Sequence, residues 1–580
     1  MGSGLRGFSF LCLFFFAGLK ACATDPASVK ACAGEGIASD SAAQPFRAAL
    51  LGHISFPNSG SAAAQPAFIR GVLLLHSFEY DDAIAAFREA QQVDPGFALA
   101  YWGEAMCYNQ PLWYNENVDK ARQALGRLAA DAAARQAKAP TAREKGYLDA
   151  VERMFGNVRG AGAGSSSRGG GPGLSDAKAS RNRAYAERMA ELSRQFPTDD
   201  EAAAFYALAL LGARAETDRD TSVMQKAGAI ALAVLKRNPQ HPGAAHYALH
   251  AFDDGEHAAM GLEAARTYAR IAPASSHARH MPSHVFLPLG MWDDAAASDE
   301  SSFAVSVDRV KRLGLSMAQA DFHSLGWLQY EYLQQGRFAK AREAMRTVEN
   351  ALAAGDSVRH QTPMHHVESE IGRGYGPMSL KGELASMRAR LVLEGGRWDE
   401  MKGRSSFDNV DELFALGIAS VKLGDEARAE AVFDQLQQAR VAAPDPDNKR
   451  LASIMSGELA GLIQLARGQK TEAMQTLTGA ARAESQLPRP IARPYPVKPA
   501  VEVYAEALLL SGNAGEAVRQ FQASLARTPR RAASLIGLAR AAQTAGQREV
   551  AVKAAREFIE MWHAADADRA ELKDARVIAR

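Results

Sequence analysis

Cysteine is nearly missing, with four in 580 residues. Cys12 falls inside the amino-terminal apolar run and Cys22 at its edge, so only Cys32 and Cys107 remain for a mature chain. That excludes a disulfide framework. Cys107, on an apolar helical stretch, reads as a small buried residue. An excess of charge is missing too: 67 Lys and Arg face 66 Asp and Glu, a formal net charge of +1. Nothing in this balance suggests a broad nucleic-acid or anionic-membrane footprint, which leaves room only for a local patch. Period-two alternation is sustained nowhere, which argues against a β domain. No Walker loop, GxSxG elbow, dinucleotide fingerprint, HExxH or CxxC pair occurs, so no catalytic residue is assigned and a non-enzyme is expected.

Long apolar runs are also missing, with one exception. Phe8 to Leu19 follows Arg6 and precedes the small residues Ala21-Cys22-Ala23. The run is short for a membrane span and reads as a secretory signal over residues 1–23. Cleavage after Ala23 leaves a soluble exported protein, periplasmic or secreted, with no transmembrane span. Alternatively, Leu19-Lys20-Ala21-Cys22 loosely resembles a lipobox, which would make Cys22 a lipid anchor.

What is present is alanine at helical spacing. A chain this long forms either several domains or one elongated repeat array. After a polar segment, 24–65, the stretch AFIRGVLLLHSFEYDDAIAAFREAQQVDP predicts two amphipathic helices, with Tyr80 and Ala83 opening the second and Pro95 closing the unit. Repeats are expected over 66–156. A Gly- and Ser-rich loop, 157–175, buries too little apolar area to order itself. Repeats resume over 176–350 and 380–580, separated by a His-containing loop at 351–379. Their mark is a turn glycine, a large apolar residue two places on and an alanine five places on. Gly290, Trp292 and Ala295 show it, as do Gly336, Phe338 and Ala341. Gly396 with Trp398, Gly468 with Ala473, Gly512 with Ala517 and Gly546 with Ala551 continue it in part.

On these residues, and on phrases such as DPGFALAYWGEAM, HYALHAFDD and HMPSHVFLPLGMWDDA, the chain resembles the tetratricopeptide repeat superfamily, and within it exported bacterial proteins of unknown function. The resemblance implies an all-α, right-handed α-solenoid whose first helices line a concave groove that binds a protein or peptide. It implies no chemistry. The lysines and asparagines that clamp C-terminal carboxylates in chaperone-binding relatives are not evident.

The histidines stand out. His246 with His250 and His280 with His284 are i, i+4 pairs, 34 residues apart, which is the length of one such repeat. Aligned on the turn residues, His246 and His280 take the fifth place of their units and His250 and His284 the ninth. His323 takes the second place of the next unit, and His76 the thirteenth of the first. With Trp102 and Tyr330 these are groove-lining places, so His76, Trp102, His246, His250, His280, His284, His323 and Tyr330 form the expected partner-binding surface. Two readings follow. One is a non-catalytic scaffold holding a protein or peptide in the groove, without a cofactor. The other is a divalent-metal site on His246, His250, His280 and His284, with Asp253, Asp254 or Glu256 as added ligand or support. Against the metal reading, grooves also hold histidines that merely hydrogen-bond one another. Clustered imidazoles are further expected to titrate near their ordinary value of about 6.5. His360, His365, His366 and Glu368, in the later loop, read either as a flap over a ligand or as a polar connection.

Overall fold

Pro66 stands in the first turn of the helix Gln65–His76, where its missing N–H leaves no carbonyl unpaired. The partner helix Tyr80–Val93 stops before Pro95, which cannot donate, and the next helix begins at Ala98. Between the paired helices Ala83 and Ala90 are wholly buried, and side chains this small let the axes approach closely. This is the expected unit. In the computed structural model it recurs through residues 50–113, 115–156, 176–214, 221–354, 379–404, 407, 409–443, 446–490 and 492–580, which are the residues the structure describes. The signal segment 1–23, the loop 157–175 and the loop histidines His360, His365 and His366 lie outside them.

Helix pairs from Gln65–His76 to Arg548–Met561 give an all-α solenoid of tetratricopeptide type, closed by Ala570–Ile578. Gly290 and Gly336 end first helices in the left-handed region, at φ +68° and +73°, where a Cβ is disfavoured. Gly396 has the same conformation but opens only a single 3₁₀ turn, Trp398–Met401, before Gly403 turns left-handed again. The unit expected there is therefore abbreviated. The one strand pairing among the described residues is Asn109–Gln110 against Asn115–Glu116.

Two further expectations change. The polar segment is not polar throughout, because Leu51, Ile54 and Phe56 are buried and His53 N–H donates to Gln240 O at 2.8 Å. Residues 50–64 are thus packed onto the helices. His280 and His284 do not share one unbroken helix either: Ser276–His280 and Ser283–Phe286 are separate, because Pro282 lacks a donor and Ser283 Oγ–H caps His280 O at 2.8 Å.

The solenoid winds tightly enough for distant units to touch. Gly290 lies against Pro529 and Arg530, and Trp292 Nε1–H donates to Arg530 O at 3.0 Å. Trp562 Nε1–H donates to Gln334 O at 2.8 Å, and Asp566 N–H to Gly336 O at 3.0 Å. Near the amino-terminal end, Gln65–His76 packs on Pro242–Ala251. The inner face of the winding is thereby filled. No helix among the described residues is long and apolar enough to cross a membrane.

Candidate metal centre

All eight residues expected along an open groove are buried, none more than 7% exposed. Trp102 packs among Phe56, Tyr147 and Phe205. The Tyr330 hydroxyl accepts from Arg531 Nη1 at 3.1 Å. An accessible groove is therefore corrected to an interior, because the units that would flank it close over it.

The four paired histidines do not form one set. They divide into two, and a ring from the following unit completes each. His246, His250 and His277 bring one nitrogen apiece within 4.8 Å of one another, and so do His280, His284 and His323. In the first set His246 Nε2 is 2.9 Å from His277 Nε2 and 3.0 Å from His250 Nε2. In the second, His284 Nε2 is 3.1 Å from His280 Nε2. Both sets have the same construction: the fifth and ninth places of one unit and the second place of the next.

His277 went unnoticed in the sequence, although a signal was there. It precedes Gly290 by 13 residues, as His323 precedes Gly336. His277 therefore has the register of a residue already singled out.

The opposite side of each ring decides which nitrogen carries the proton. His246 Nδ1–H donates to the His76 carbonyl at 2.6 Å. His284 Nδ1–H donates to Asp253 Oδ2 at 2.9 Å, and His280 Nδ1 lies 2.6 Å from Asp299 Oδ1. A carbonyl or carboxylate only accepts, so the proton of neutral His246 and His284 sits on Nδ1 and the lone pair on Nε2 faces inward. Burial pushes His246 and His280 down to about 3. Burial, then the imidazoles His246, His277, His284 and His280, pushes His250 well below its ordinary value. The expected titration near neutrality is thus corrected for these rings.

Asp299 is paired in turn with Glu331. Burial raises both carboxyls well above their ordinary value. Of the acidic residues proposed from sequence, Asp253 is the one that accepts from a ring of either set. Asp254 instead contacts His257 at 2.8 Å, on the surface side.

A third cluster, His76, Glu201 and His241, has the same look and a different chemistry. His241 Nδ1 accepts from Ala244 N–H at 3.1 Å, so its proton is on Nε2, which faces Glu201 Oε1 at 3.2 Å. His76 Nε2 lies 2.7 Å from Glu201 Oε2, and its Nδ1 lies 2.9 Å from the Tyr247 hydroxyl. Burial pushes Glu201 up, but His76 and His241 outweigh it and bring the carboxyl down to about 2. Three of the cluster's four ring nitrogens are hydrogen-bonded, and the fourth, His241 Nε2, contacts Glu201 without hydrogen-bond geometry. The cluster fixes the segment whose carbonyl orients His246.

The class these features define is a tetratricopeptide-type helical scaffold with an imidazole-lined interior. No family model matches the sequence, and no curated protein matches it. Among solved structures, similarity is found to a tetratricopeptide repeat protein from Parabacteroides merdae (12% identity, 53% of this chain and 99% of that one, TM-score 0.29). It is also found to the human IFIT1 dimer with m7Gppp-AAAA (12%, 88% and 92%, TM-score 0.31). Yeast Tom70 is similar at the same level (12%, 89% and 95%, TM-score 0.28). Scores this low carry no argument about shape or function, and the repeat type rests on the helix pairs and their turn glycines.

Proposed function

We propose that this chain is an exported, non-catalytic helical-repeat protein that holds transition-metal ions at His246, His250 and His277 and at His280, His284 and His323. The supporting observation is the contact between His280 and His284. Their Nε2 atoms lie 3.1 Å apart, and His323 brings a third ring nitrogen within 4.8 Å of them. A proton bridges two nitrogens, whereas here His323 brings a third, which suits a metal ion better. Zinc bound by imidazoles at about 2.0–2.1 Å in a tetrahedral site sets its ligand nitrogens roughly 3.3 Å apart. His280 and His284 need to open by only a few tenths of an ångström.

An all-imidazole set without thiolate suits zinc or copper. The carboxylates on Nδ1 are the usual outer support of such ligands. Export, with Cys22 as the alternative anchor, rests on the amino-terminal segment alone. A protein or peptide partner would bind elsewhere on the scaffold, because the rings once assigned to it are interior.

Elemental analysis of the purified full chain tests the reading. Two transition-metal ions per chain are expected, and both should be lost when His246 and His284 are changed together to Ala. Metal far below one ion per chain that is also unaltered in the double variant would sink it.

A further inference from the structure

Each three-histidine set lies against one aromatic ring that reaches all of its members. At the first set the ring centre of Phe78 is 4.2 Å from that of His246, 5.7 Å from His250 and 5.8 Å from His277. At the second, Trp327 is 4.4 Å from His284, 5.2 Å from His280 and 5.7 Å from His323. The two arrive by different routes. Trp327 follows His323 by one turn of the same helix, whereas Phe78 stands in the turn after Gln65–His76. That turn closes as the later ones do: Phe78 N–H donates to Leu75 O and Glu79 N–H to Leu74 O, as Gly290 N–H does to Leu287 O and Met291 N–H to Phe286 O. Phe78 therefore fills the place of a turn glycine, at φ +58°, a conformation that a bulky side chain rarely adopts. Glycine would suit the backbone better, so the ring is there for what it touches.

An imidazole bound to an ion through a bond of roughly 2.0–2.1 Å has its centre about 3 Å from that ion. An aromatic ring about 4 Å above the ligand triangle is then about 5 Å from each imidazole centre, within the reach at which its face attracts a cation. The six distances, from 4.2 to 5.8 Å, surround that value. Among the described residues no fourth histidine, cysteine or carboxylate joins either set. Zinc takes four ligands, and where a protein supplies three, water takes the fourth place. A ring over the triangle fills the direction from which that water would come. Copper(II) favours a square array that three imidazoles do not give, whereas copper(I) needs no fourth ligand.

Building on the metal reading above, we infer that both sites are three-coordinate copper(I) sites, each capped by one aromatic side chain: Phe78 over His246, His250 and His277, and Trp327 over His280, His284 and His323. The caps are specificity-determining residues. They keep water from the ion and so select against zinc.

The test uses the chelator-stripped full chain, titrated with zinc(II) and, without oxygen, with copper(I), each against a competing chromophoric chelator. X-ray absorption of the copper(I)-loaded wild type should count three nitrogen neighbours around the metal, a result that needs no variant to fold. Phe78→Leu, Trp327→Leu and Trp327→Phe are each checked for unchanged helical circular dichroism. Each leucine variant should weaken one copper(I) equivalent by about 10- to 30-fold, the strength of a desolvated contact between cation and ring, and leave zinc no weaker. Trp327→Phe keeps a ring and should stay within about 3-fold of wild type. Four neighbours around copper in wild type, zinc bound in preference to copper(I), or equal copper(I) affinity in Trp327→Leu and Trp327→Phe overturns the capped sites and leaves the metal reading standing. Binding of neither ion by wild type overturns both.

Discussion

Replacing Arg531 with Met should destabilise the carboxyl-terminal repeats more than any surface change can. The guanidinium is 1% exposed. It donates from Nε and Nη2 to the two oxygens of Glu502 at 2.8 and 3.0 Å and from Nη1 to the Tyr330 hydroxyl at 3.1 Å, and Nη2 is ion-paired with Glu394 Oε1 at 2.7 Å. Methionine fills much of the volume and supplies none of the charge. Glu502 keeps Lys498 Nζ at 2.9 Å and Ser534 Oγ–H at 2.6 Å, so the exposed weakness is Glu394, itself 4% exposed. Removing one partner of a buried pair costs about 3–5 kcal/mol, because the other charge is left uncompensated. If the repeats after residue 380 unfold as one section of about 200 residues, that loss lowers their Tm by roughly 7–12 °C. Trp292 and Trp562 stand at the contacts that join these repeats to the middle of the chain, so tryptophan fluorescence during urea or thermal unfolding reads the change. Adding Glu394→Gln should restore about 2 kcal/mol, since a neutral amide tolerates the apolar neighbour better. A loss below about 1 kcal/mol, the size of a surface ion pair, would refute the claim that this network holds the winding closed.

The same network sets a pH limit. Burial pushes the Glu502 carboxyl up, but Arg531 and Lys498 outweigh it and hold the group well below the usual range. Its stabilisation is therefore complete above the unfolded value of about 4.3 and is lost as pH falls through the folded one. Urea midpoints of wild type and Glu502→Gln should differ most at neutral pH and converge in acid; a gap that widens in acid would contradict this sign. Gly336→Ala should lower Tm by the equivalent of about 1–3 kcal/mol, because the residue sits at φ +73° and its Cβ would lie 2.7 Å from the Trp562 ring. An unchanged Tm would mean the Trp562 contact yields freely. Cys107, whose buried thiol is pushed well above its ordinary value, should resist iodoacetamide in the native protein and react in urea. Fast native alkylation would remove it from the interior. Mass spectrometry of the exported chain should find Thr24 first, or a lipid on Cys22 if the alternative holds; a chain keeping Met1 would count against export.

The helices were legible because their signals are local. Pro95 and Gly290 act on their own neighbours, and alanine at a crossing is visible at a fixed spacing. The 34-residue step between the histidine pairs was legible for the same reason. What escaped depends on residues far apart in sequence. Nothing near Gly290 announces Arg530, and nothing near Gly336 announces Trp562, so an inner face that the repeats suggest is open turns out closed. The single four-histidine patch failed for a related reason. A first helix carries the fifth and ninth places on one face, but the third ring comes from the next helix. Pairs read along one helix therefore could not show which set each ring joins.

The arrangement of the second, fifth and ninth places also explains why there are two such sites and not a longer row. Three consecutive units carry Gly243, His246 and His250, then His277, His280 and His284, then His323, Gly326 and Tyr330. A site needs the last two of one unit and the first of the next, so the three units supply two complete sets. At the leading edge the second place is Gly243, where a Cβ would overlap His76 Nδ1, the ring already engaged with Tyr247 and Glu201. At the trailing edge the fifth place is Gly326, where a Cβ would run into Glu383 Oε1 and come within 2.8 Å of Arg493. The ninth place is Tyr330, whose hydroxyl is taken by Arg531. The row of imidazoles thus ends on each side where a polar network from another part of the chain fills the space a further ring would need. The contacts that wind the solenoid closed are also those that fix the number of histidine sites inside it.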